Sequence, residues 1–387
     1  MKRLLEKYDN KLTAQGLCDS GAPLIGGLDA RLEWNRDDDA REVIEKVIGG
    51  MNINSILFAR PAEPFFSILN RLAAGLPGGT GAIRPEDSET RTFLHDIPIL
   101  PEFDADTILS ALRRRKGAFV RGHGIVTYGT VSPEQAFITF SSICFSAYVK
   151  FFSDLFYNGI RDSAERELRD KALASYKSFV YGKKNQWNLQ KGPFTESGSI
   201  YRAIAEAGKL VVDFRLVDSF FGNISYRTDD TIYISQTGSS LDELPGCVDP
   251  CPIDGSSCAA VTASSEYSAH REIYLRSDSR AILHGHPKFS VIMSMLCDKK
   301  DCENRGQCHI KCTRERFIND IPVVPGEVGT GRYGLCNTLP PALTGRRGAI
   351  VYGHGLFTTG ERDFREAFSQ LLDIELMCID EYERLVP

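Results

Sequence analysis

The chain contains an internal repeat, and this repeat constrains its fold more than any other feature of the sequence. Residues 117–137 align without gaps on residues 348–368, with ten of 21 positions identical. Upstream, residues 93–101 match residues 317–325 at five of nine positions, in the same order along the chain. A fixed order of matching segments is typical of tandem structural units. We therefore expect two copies of one fold rather than a single large domain.

The repeat predicts where the domains lie and what class of fold they have. The first copy is expected over residues 1–158 and the second over 196–387, with a helix and linker over 159–195. Short runs such as GAIVYGH and SRAILHGH predict buried strands, and long patterns with apolar residues three and four apart predict the helices that follow the repeated segment. Each copy is therefore predicted to be a mixed α/β unit, with a central sheet covered by helices in three layers.

The composition excludes several classes of protein. The chain has 387 residues, of which 42% are hydrophobic and 25% charged, and its formal net charge is −5. Such a chain is globular and lacks the positive excess that non-specific nucleic-acid binding needs. No apolar run approaches the roughly 18 residues of a membrane span, and the start MKRLLEKYDN does not resemble a secretory signal. We expect a cytoplasmic protein with no nucleic-acid or membrane partner.

Three of the seven histidines suggest a metal site. His284 and His286 are two residues apart on a predicted strand, so their side chains leave the same face of the sheet. His354 lies between glycines at the end of another predicted strand. Three neutral imidazoles that leave one coordination position open are typical of a catalytic Zn²⁺. The alternative is that each histidine is an ordinary core or loop residue, which the spacing alone does not exclude.

The second copy resembles the class II aldolase/adducin family, which includes fuculose phosphate aldolase and ribulose phosphate 4-epimerase. The resemblance is carried by five motifs in the family's order: Gly222-Asn223-Ile224-Ser225, Ser235-Gln236-Thr237-Gly238, Ser264-Ser265-Glu266, His284-Gly285-His286 and Gly353-His354-Gly355. It implies a divalent ion, Zn²⁺ or another such as Mn²⁺, Co²⁺ or Fe²⁺, on His284, His286 and His354. It also implies that Glu266 is the catalytic acid/base and that a substrate phosphate is bound by Asn223, Thr237, Gly238, Ser264 and Ser265.

This resemblance implies a metal-dependent lyase that cleaves or forms a C–C bond of a phosphorylated ketose through an enediolate. Negative charge that builds on the substrate oxygens would be stabilised by the ion, which acts as a Lewis acid. Two alternatives stay open: an epimerase or dehydratase that uses the same metal site, and an adducin-like interaction protein without catalysis.

The residue types fit these roles independently of the resemblance. Ser264 and Ser265 precede a predicted helix, where hydroxyls and free N–H groups favour an anion. Glu266 begins the same helix and would transfer the proton. The alternative is a structural one, in which Ser264 caps the helix and Glu266 complements its dipole. His270, one turn further, is expected on the helix surface or behind the ligands.

The first copy lacks the metal motifs. Phe58 and Arg60 stand in place of the two strand histidines, and only His123 remains. We therefore expect a degenerate copy that retains the fold. Since members of the family form rings of subunits, the resemblance implies that two copies mimic a dimer and that two chains form a homodimer with a pseudo-tetrameric arrangement of four domains.

The second copy departs from the family pattern after the strand histidines. The aldolases have a tyrosine there that assists proton transfer, whereas this stretch has none. It carries instead a cluster of four cysteines: Cys297, Cys302, Cys308 and Cys312. Free thiols, a zinc or iron–sulfur site joined by Cys247, Cys251 and Cys258, and disulfides all remain open.

Overall fold

A computed structural model shows two compact units, Met1–Ala174 and Ser175–Pro387. It describes residues 1–218, 220–256, 261–299, 301–312, 314–327 and 331–387. The division between the units falls inside a helix, α7 (Ser163–Lys183), in the segment that we predicted to be a helix and linker.

The first unit is built on a mixed sheet covered by helices on both faces. The strand order is β2-β1-β3-β7-β6-β5-β4, and only the β5–β6 pair is parallel among the pairs described. Its strands are β1 (Leu24–Leu28), β2 (Leu32–Trp34), β3 (Ser55–Ala59), β4 (Gly81–Ile83), β5 (Ile97–Leu100), β6 (Gly117–Val120) and β7 (Gly124–Gly129). Its helices are α1 (Lys2–Ala14), α2 (Arg41–Gly49), α3 (Phe65–Ala74), α4 (Ser88–Leu94), α5 (Ala105–Leu112) and α6 (Pro133–Asn158), with a 3₁₀ turn at Pro77–Gly79.

The second unit has the same plan. Its strand order is β10-β9-β8-β11-β15-β14-β13-β12, with β13–β14 as the parallel pair in the described part. Its strands are β8 (Asn223–Arg227), β9 (Thr231–Ser235), β10 (Val248–Pro252), β11 (Ala281–Gly285), β12 (Arg316–Ile318), β13 (Ile321–Val324), β14 (Gly348–Val351) and β15 (Gly355–Gly360). Its helices are α8 (Ser197–Asp213), α9 (Tyr267–Leu275), α10 (Lys288–Met295), α11 (Cys308–Lys311), α12 (Leu335–Leu343) and α13 (Phe364–Leu385), with a 3₁₀ turn at Leu241–Glu243.

Buried apolar residues join helices and sheet in each unit. In the first unit, α2 and α5 pack on one face of the sheet, while α6 crosses the other. In the second unit, α9 and α12 cover one face, and α10 and α13 cover the other. The prediction of a mixed α/β fold with a central sheet covered by helices is confirmed.

Helix α6 is long and apolar enough to cross a bilayer, judged by length and composition alone. However, 89% of its most apolar 18-residue window is buried inside the protein. A core helix of a globular unit passes the same test, and α6 packs against β3 and β7 in this way.

The two sheets share their hydrogen-bond register. In the second unit Ala281 pairs with Gly360, and at the matching place in the first unit Ser55 pairs with Gly129. The pairs β6–β7 and β14–β15 agree at every described position with an offset of 231 residues. The offset for β5 and β13 is 224 residues, as in the sequence alignment. The paired residues of β3, β5, β6 and β7 therefore have defined counterparts in β11, β13, β14 and β15.

Candidate metal centre

The three predicted metal ligands meet at one end of the second sheet. His284 lies near the end of β11, His286 follows the last residue of that strand, and His354 lies in the tight turn between β14 and β15. Strand β11 pairs with β15, which brings the turn alongside. Gly353 adopts a φ of 59°, a left-handed conformation that glycine adopts without strain and that the turn requires.

The imidazoles are close enough to share one ion. One ring nitrogen from each histidine lies within 4.8 Å of the others, and Nε2 of His284 is 3.0 Å from Nε2 of His286. The exposed fractions of the side chains are 1% for His284, 1% for His286 and 4% for His354. In the part of the chain that the structure describes, this is the one group of three or more His, Cys, Asp or Glu side chains with such spacing.

The environment keeps these rings in the form that binds metals. Burial lowers the pKa of His284 to about 4, and burial together with the neighbouring imidazoles lowers the pKa of His286 well below its usual value. Nδ1 of His284 lies 3.2 Å from the carbonyl oxygen of Leu356. Because a carbonyl only accepts, Nδ1 carries the proton and Nε2 offers its lone pair. The donor set fits a divalent transition metal.

Aromatic side chains hold two of the rings in place. Phe357 stacks on His284 with ring centroids 3.8 Å apart and an interplanar angle of 8°. Phe221 stacks on His286 at 5.2 Å and 6°. Such packing restricts the rotation of an imidazole and excludes water from its face, so the ligands are oriented by the fold before any ion arrives.

Glu266 lies directly against the histidines. Its Oε1 is 3.0 Å from Nε2 of His354, and its Oε2 is 3.6 Å from Nε2 of His284. Asn223 donates a hydrogen bond of 2.6 Å from Nδ2 to Oε2 of the same carboxylate. Burial alone raises the pKa of Glu266, but the two histidines and the Asn223 amide outweigh this and hold the pKa well below its usual range. The carboxylate is therefore ionised at neutral pH.

The predicted phosphate-binding residues come from two loops that the fold brings together. Gln236 forms an isolated β-bridge with Ala263, and Thr237 donates from its backbone N–H to the carbonyl oxygen of Thr262. The bridge is antiparallel, so Ser264 lies beside Ser235, to whose carbonyl oxygen its backbone N–H donates, while Thr237 lies beside Thr262. Thr237, Gly238 and Ser265 are exposed, whereas Ser264 is buried. Ser264 Oγ accepts a hydrogen bond of 3.3 Å from the backbone N–H of Glu266, just before α9.

Asn223 occupies a different position from the other predicted phosphate residues. It is buried opposite His284 in the β8–β11 register, and its amide is engaged with Glu266. Its Oδ1 finds no hydrogen-bond partner among the described residues. The structure therefore places Asn223 at the carboxylate, with one acceptor atom left for another group.

The sequence analysis did not identify a buried group of polar residues next to Asn223 and Glu266, formed by Ser225, His270 and Tyr274. Ser225, two residues after Asn223 on β8, has its Oγ 2.7 Å from Nδ1 of His270 and 2.7 Å from the hydroxyl of Tyr274. His270, which we expected on the helix surface or behind the ligands, is completely buried. The sequence spacing could have indicated this contact. Asn223 and Ser225 are two residues apart and share one face of a strand, while Glu266, His270 and Tyr274 recur every four residues and share one face of a helix.

The matching positions of the first unit are filled by aromatic rings. By register, His284 and His354 correspond to Phe58 and His123. The ring of Phe58 packs on Phe103 at 4.7 Å, and Phe103 stacks on His123 at 5.4 Å. Arg60, which corresponds to His286, is exposed and lies with its guanidinium 3.8 Å from the Phe66 ring centroid.

The four clustered cysteines do not form a metal site in the described structure. Each of them is half-buried, and neither they nor the other described cysteines form a disulfide. No set of three or more of these thiols satisfies the spacing that the histidines satisfy within the described ranges. Cys258, which we considered as a further ligand, lies outside the described residues.

Comparisons with known proteins find a matching family and relatives for part of the chain. Residues 202–380 match the model of the class II aldolase and adducin N-terminal domain. L-fuculose phosphate aldolase from Methanococcus maripaludis is 29% identical over 165 residues, which cover 41% of this chain and 83% of that protein.

Solved structures of related proteins match about half of the chain. L-fuculose-1-phosphate aldolase from Thermus thermophilus is 23% identical with a TM-score of 0.38, covering 49% of this chain and 94% of that one. A sugar-phosphate aldolase from Thermotoga maritima is 18% identical with a TM-score of 0.35, covering 48% and 94%. The match to the class II aldolase and adducin N-terminal domain thus lies within the second unit, over residues 202–380.

Proposed function

We propose that the second unit is a metal-dependent lyase of the class II aldolase type that cleaves or forms a C–C bond of a phosphorylated ketose. The observation that carries the proposal is the contact between three buried imidazoles and one ionised carboxylate. His284, His286 and His354 offer nitrogen atoms within 4.8 Å of one another, and Glu266 touches two of them.

The three histidines would hold a divalent ion, Zn²⁺ or another such as Mn²⁺, Co²⁺ or Fe²⁺. When bound, such an ion supplies Lewis-acid stabilisation of the negative charge that develops on substrate oxygens. Two of these imidazoles are held in a fixed orientation by the aromatic rings stacked on them, and His284 is also held by the Leu356 carbonyl oxygen.

Glu266 would move the proton in this reaction. As a buried carboxylate it accepts a proton from a substrate hydroxyl or carbon and returns it to the product. Asn223 donates to Oε2 and so fixes the orientation of the carboxylate. The acidic partner that the aldolases supply through a tyrosine has no counterpart in the stretch after the strand histidines, and we propose no residue for it.

The substrate phosphate would bind where the two loops meet. The phosphate would contact the hydroxyls of Thr237, Ser264 and Ser265 and the backbone of Gly238. Ser264 and Ser265 come just before the first turn of α9, where the helix dipole favours an anion. Asn223, with one free acceptor atom, would contact the substrate between this loop pair and Glu266. The relative from Methanococcus is named for a phosphorylated sugar, which supports this class of substrate.

The test of the proposed function combines metal content with product analysis. The protein purified without chelators should contain one divalent ion per chain, and His284→Ala should lose both the ion and turnover. Glu266→Gln should retain the bound ion, but its turnover should be lost. His123→Ala is the matched control, because this histidine stands at the position of His354 in the first unit and should change neither. Unaffected turnover in His284→Ala would refute the site.

Product analysis separates the related reactions. Incubation with a panel of ketose 1-phosphates, including fuculose 1-phosphate, should yield dihydroxyacetone phosphate and an aldehyde. A stereoisomer without fragmentation, or loss of water, would replace the lyase with an epimerase or dehydratase on the same site. Absence of any bound ion would favour the adducin-like interaction protein.

We further propose that the two units are tandem copies and that the first is a degenerate one. The matching strand order and registers support this proposal. Two chains of 43.0 kDa each would form a cytoplasmic homodimer with four domains in a pseudo-tetrameric arrangement. Light scattering after size-exclusion chromatography measures the mass directly, and a monomer would contradict the arrangement.

A further inference from the structure

Helix α10 connects two of the proposed metal ligands. It begins two residues after His286, and all of its residues, Lys288–Met295, are buried. Near its other end, Ser294 Oγ accepts a hydrogen bond of 2.8 Å from the backbone N–H of Gly353, the residue before His354. A shift of α10 would therefore move the backbone at both ligands.

A buried carboxylate from another helix holds the start of α10. Glu375, on α13, is completely buried and accepts hydrogen bonds from the backbone N–H groups of Phe289 (2.8 Å) and Ser290 (2.7 Å). The hydroxyl of Ser290 donates to it as well, at 2.8 Å. Free N–H groups at a helix start need such acceptors, and a carboxylate there also complements the helix dipole.

The hydroxyl of Tyr176 completes this contact from outside the family match. Tyr176 lies on α7, 26 residues before residue 202 where the match begins. Its hydroxyl donates a hydrogen bond of 2.9 Å to Oε1 of Glu375. Its ring centroid is 5.8 Å from that of Phe289, and Nζ of Lys288 is 5.7 Å from it. Tyr176 thus touches the first two residues of α10 as well as the carboxylate that holds them.

We propose that Tyr176 is a positioning residue of the metal centre, acting through Glu375 and α10 on His286 and His354. The helix that precedes the family domain is then part of the site's support. This inference rests on the proposed function only for the identity of the bound ion, since the contacts themselves are those of the second unit alone.

Helix α7 supplies a matched control for the test. Tyr181 lies on the same helix, and its hydroxyl donates a hydrogen bond of 2.6 Å to Asp380 Oδ2 on α13. Tyr176→Phe and Tyr181→Phe therefore remove the same atom and the same kind of hydrogen bond. The two variants differ in the acceptor that loses its hydrogen bond: Glu375, which accepts from α10, in Tyr176→Phe, and Asp380 in Tyr181→Phe. Any general loss of docking between α7 and α13 would appear in both variants.

The experiment measures Co²⁺ affinity and the visible absorption spectrum of the Co²⁺ protein, using the full chain. Removal of a direct partner of a metal ligand typically weakens affinity by about 10–100-fold, and Tyr176 acts at one further remove, so we expect about 3–10-fold in Tyr176→Phe. The Co²⁺ bands should shift in this variant. Tyr181→Phe should match wild type in both measurements. Equal Co²⁺ affinities and spectra in the two variants would overturn the proposal.

Two NMR measurements keep the inference independent of the proposed function. In the metal-free protein, the imidazole resonances of His286 and His354 should move in Tyr176→Phe and stay in place in Tyr181→Phe. If wild type binds no Co²⁺, the proposed function fails while this comparison still decides the inference. Should Tyr176→Phe fail to fold, titration of wild type with diamagnetic Zn²⁺ should shift the ring resonances of Tyr176 more than those of Tyr181, because α10 and Glu375 connect Tyr176 to the ligands. Equal shifts would contradict the proposal.

Discussion

Gly355 is the position at which one methyl group would disturb the metal centre most directly. A Cβ atom there would lie 2.5 Å from the carbonyl oxygen of Gly285, 2.6 Å from Cε1 of His284 and 2.8 Å from Cδ2 of His286. None of these atoms is the end of a flexible chain, so Gly355→Ala must displace the strand or the rings. Overpacking of this kind costs about 1–3 kcal/mol. If the rings absorb it, the metal affinity falls by about 5- to 150-fold, at about 1.4 kcal/mol per factor of ten.

The first unit provides the control for this substitution. Gly124 occupies the same register position, and a Cβ atom there would lie 2.4 Å from the carbonyl oxygen of Ala59 and 2.9 Å from the backbone nitrogen of Arg60. Gly355→Ala and Gly124→Ala should both lower the thermal stability of the metal-free protein. Only Gly355→Ala should weaken binding in a Co²⁺ titration. A folded Gly355→Ala protein with wild-type affinity would refute the geometry of the site.

Three further predictions concern stability and anion binding. Burial raises the pKa of Asp87 to about 6 from its ordinary 3.8, so the folded state binds more protons than the unfolded state between these values. The free energy of unfolding should therefore fall by about 3 kcal/mol in total as pH rises from about 3 to 7, and urea unfolding of Asp87→Asn should lack this fall. Gly222→Ala should lose about 2 kcal/mol or more in the same assay, because φ is 77° and its Cβ would lie 2.5 Å from the carbonyl oxygen of His284. Ser264→Ala should weaken inorganic phosphate binding about fivefold in an NMR titration, the worth of about one hydrogen bond; unchanged affinity would remove Ser264 from the anion site.

The parts of the structure that the sequence predicts are those set by local periodicity. Alternation on a strand puts His284 and His286 on one side, and the repeated segments predict which strands carry the site. The mixed α/β fold follows from the same patterns and is confirmed. The division of the chain into 1–158, 159–195 and 196–387 stays a prediction, because the boundary between the two compact units falls inside α7 and the family match covers residues 202–380.

Contacts between distant residues could not be predicted in this way. Tyr176 and Glu375 are 199 residues apart in the chain, and neither belongs to a motif. In the sequence, Glu375 would be interpreted as an exposed residue of α13. Only the structure shows the hydrogen-bond donors that allow its carboxylate to be buried. The family resemblance implies that Asn223 binds a substrate phosphate, but the motif does not reveal the contact between its side chain and Glu266. The direction of a side chain depends on its neighbours in space, which periodicity does not give.

The comparison of the two units shows that the sheet forms with or without the side chains of the candidate metal centre. Their registers agree at the strands that carry the site, so the backbone alone does not make a metal centre. In the second unit, polar side chains line the end of β11, and Nδ1 of His284 contacts the carbonyl oxygen of Leu356. In the first unit, Phe103 packs on Phe58 and stacks on His123 at the same place. Such stacking stabilises a sheet end without any ion. A unit without the three histidines can thus keep its sheet, which supports the proposal that the first unit is a degenerate copy.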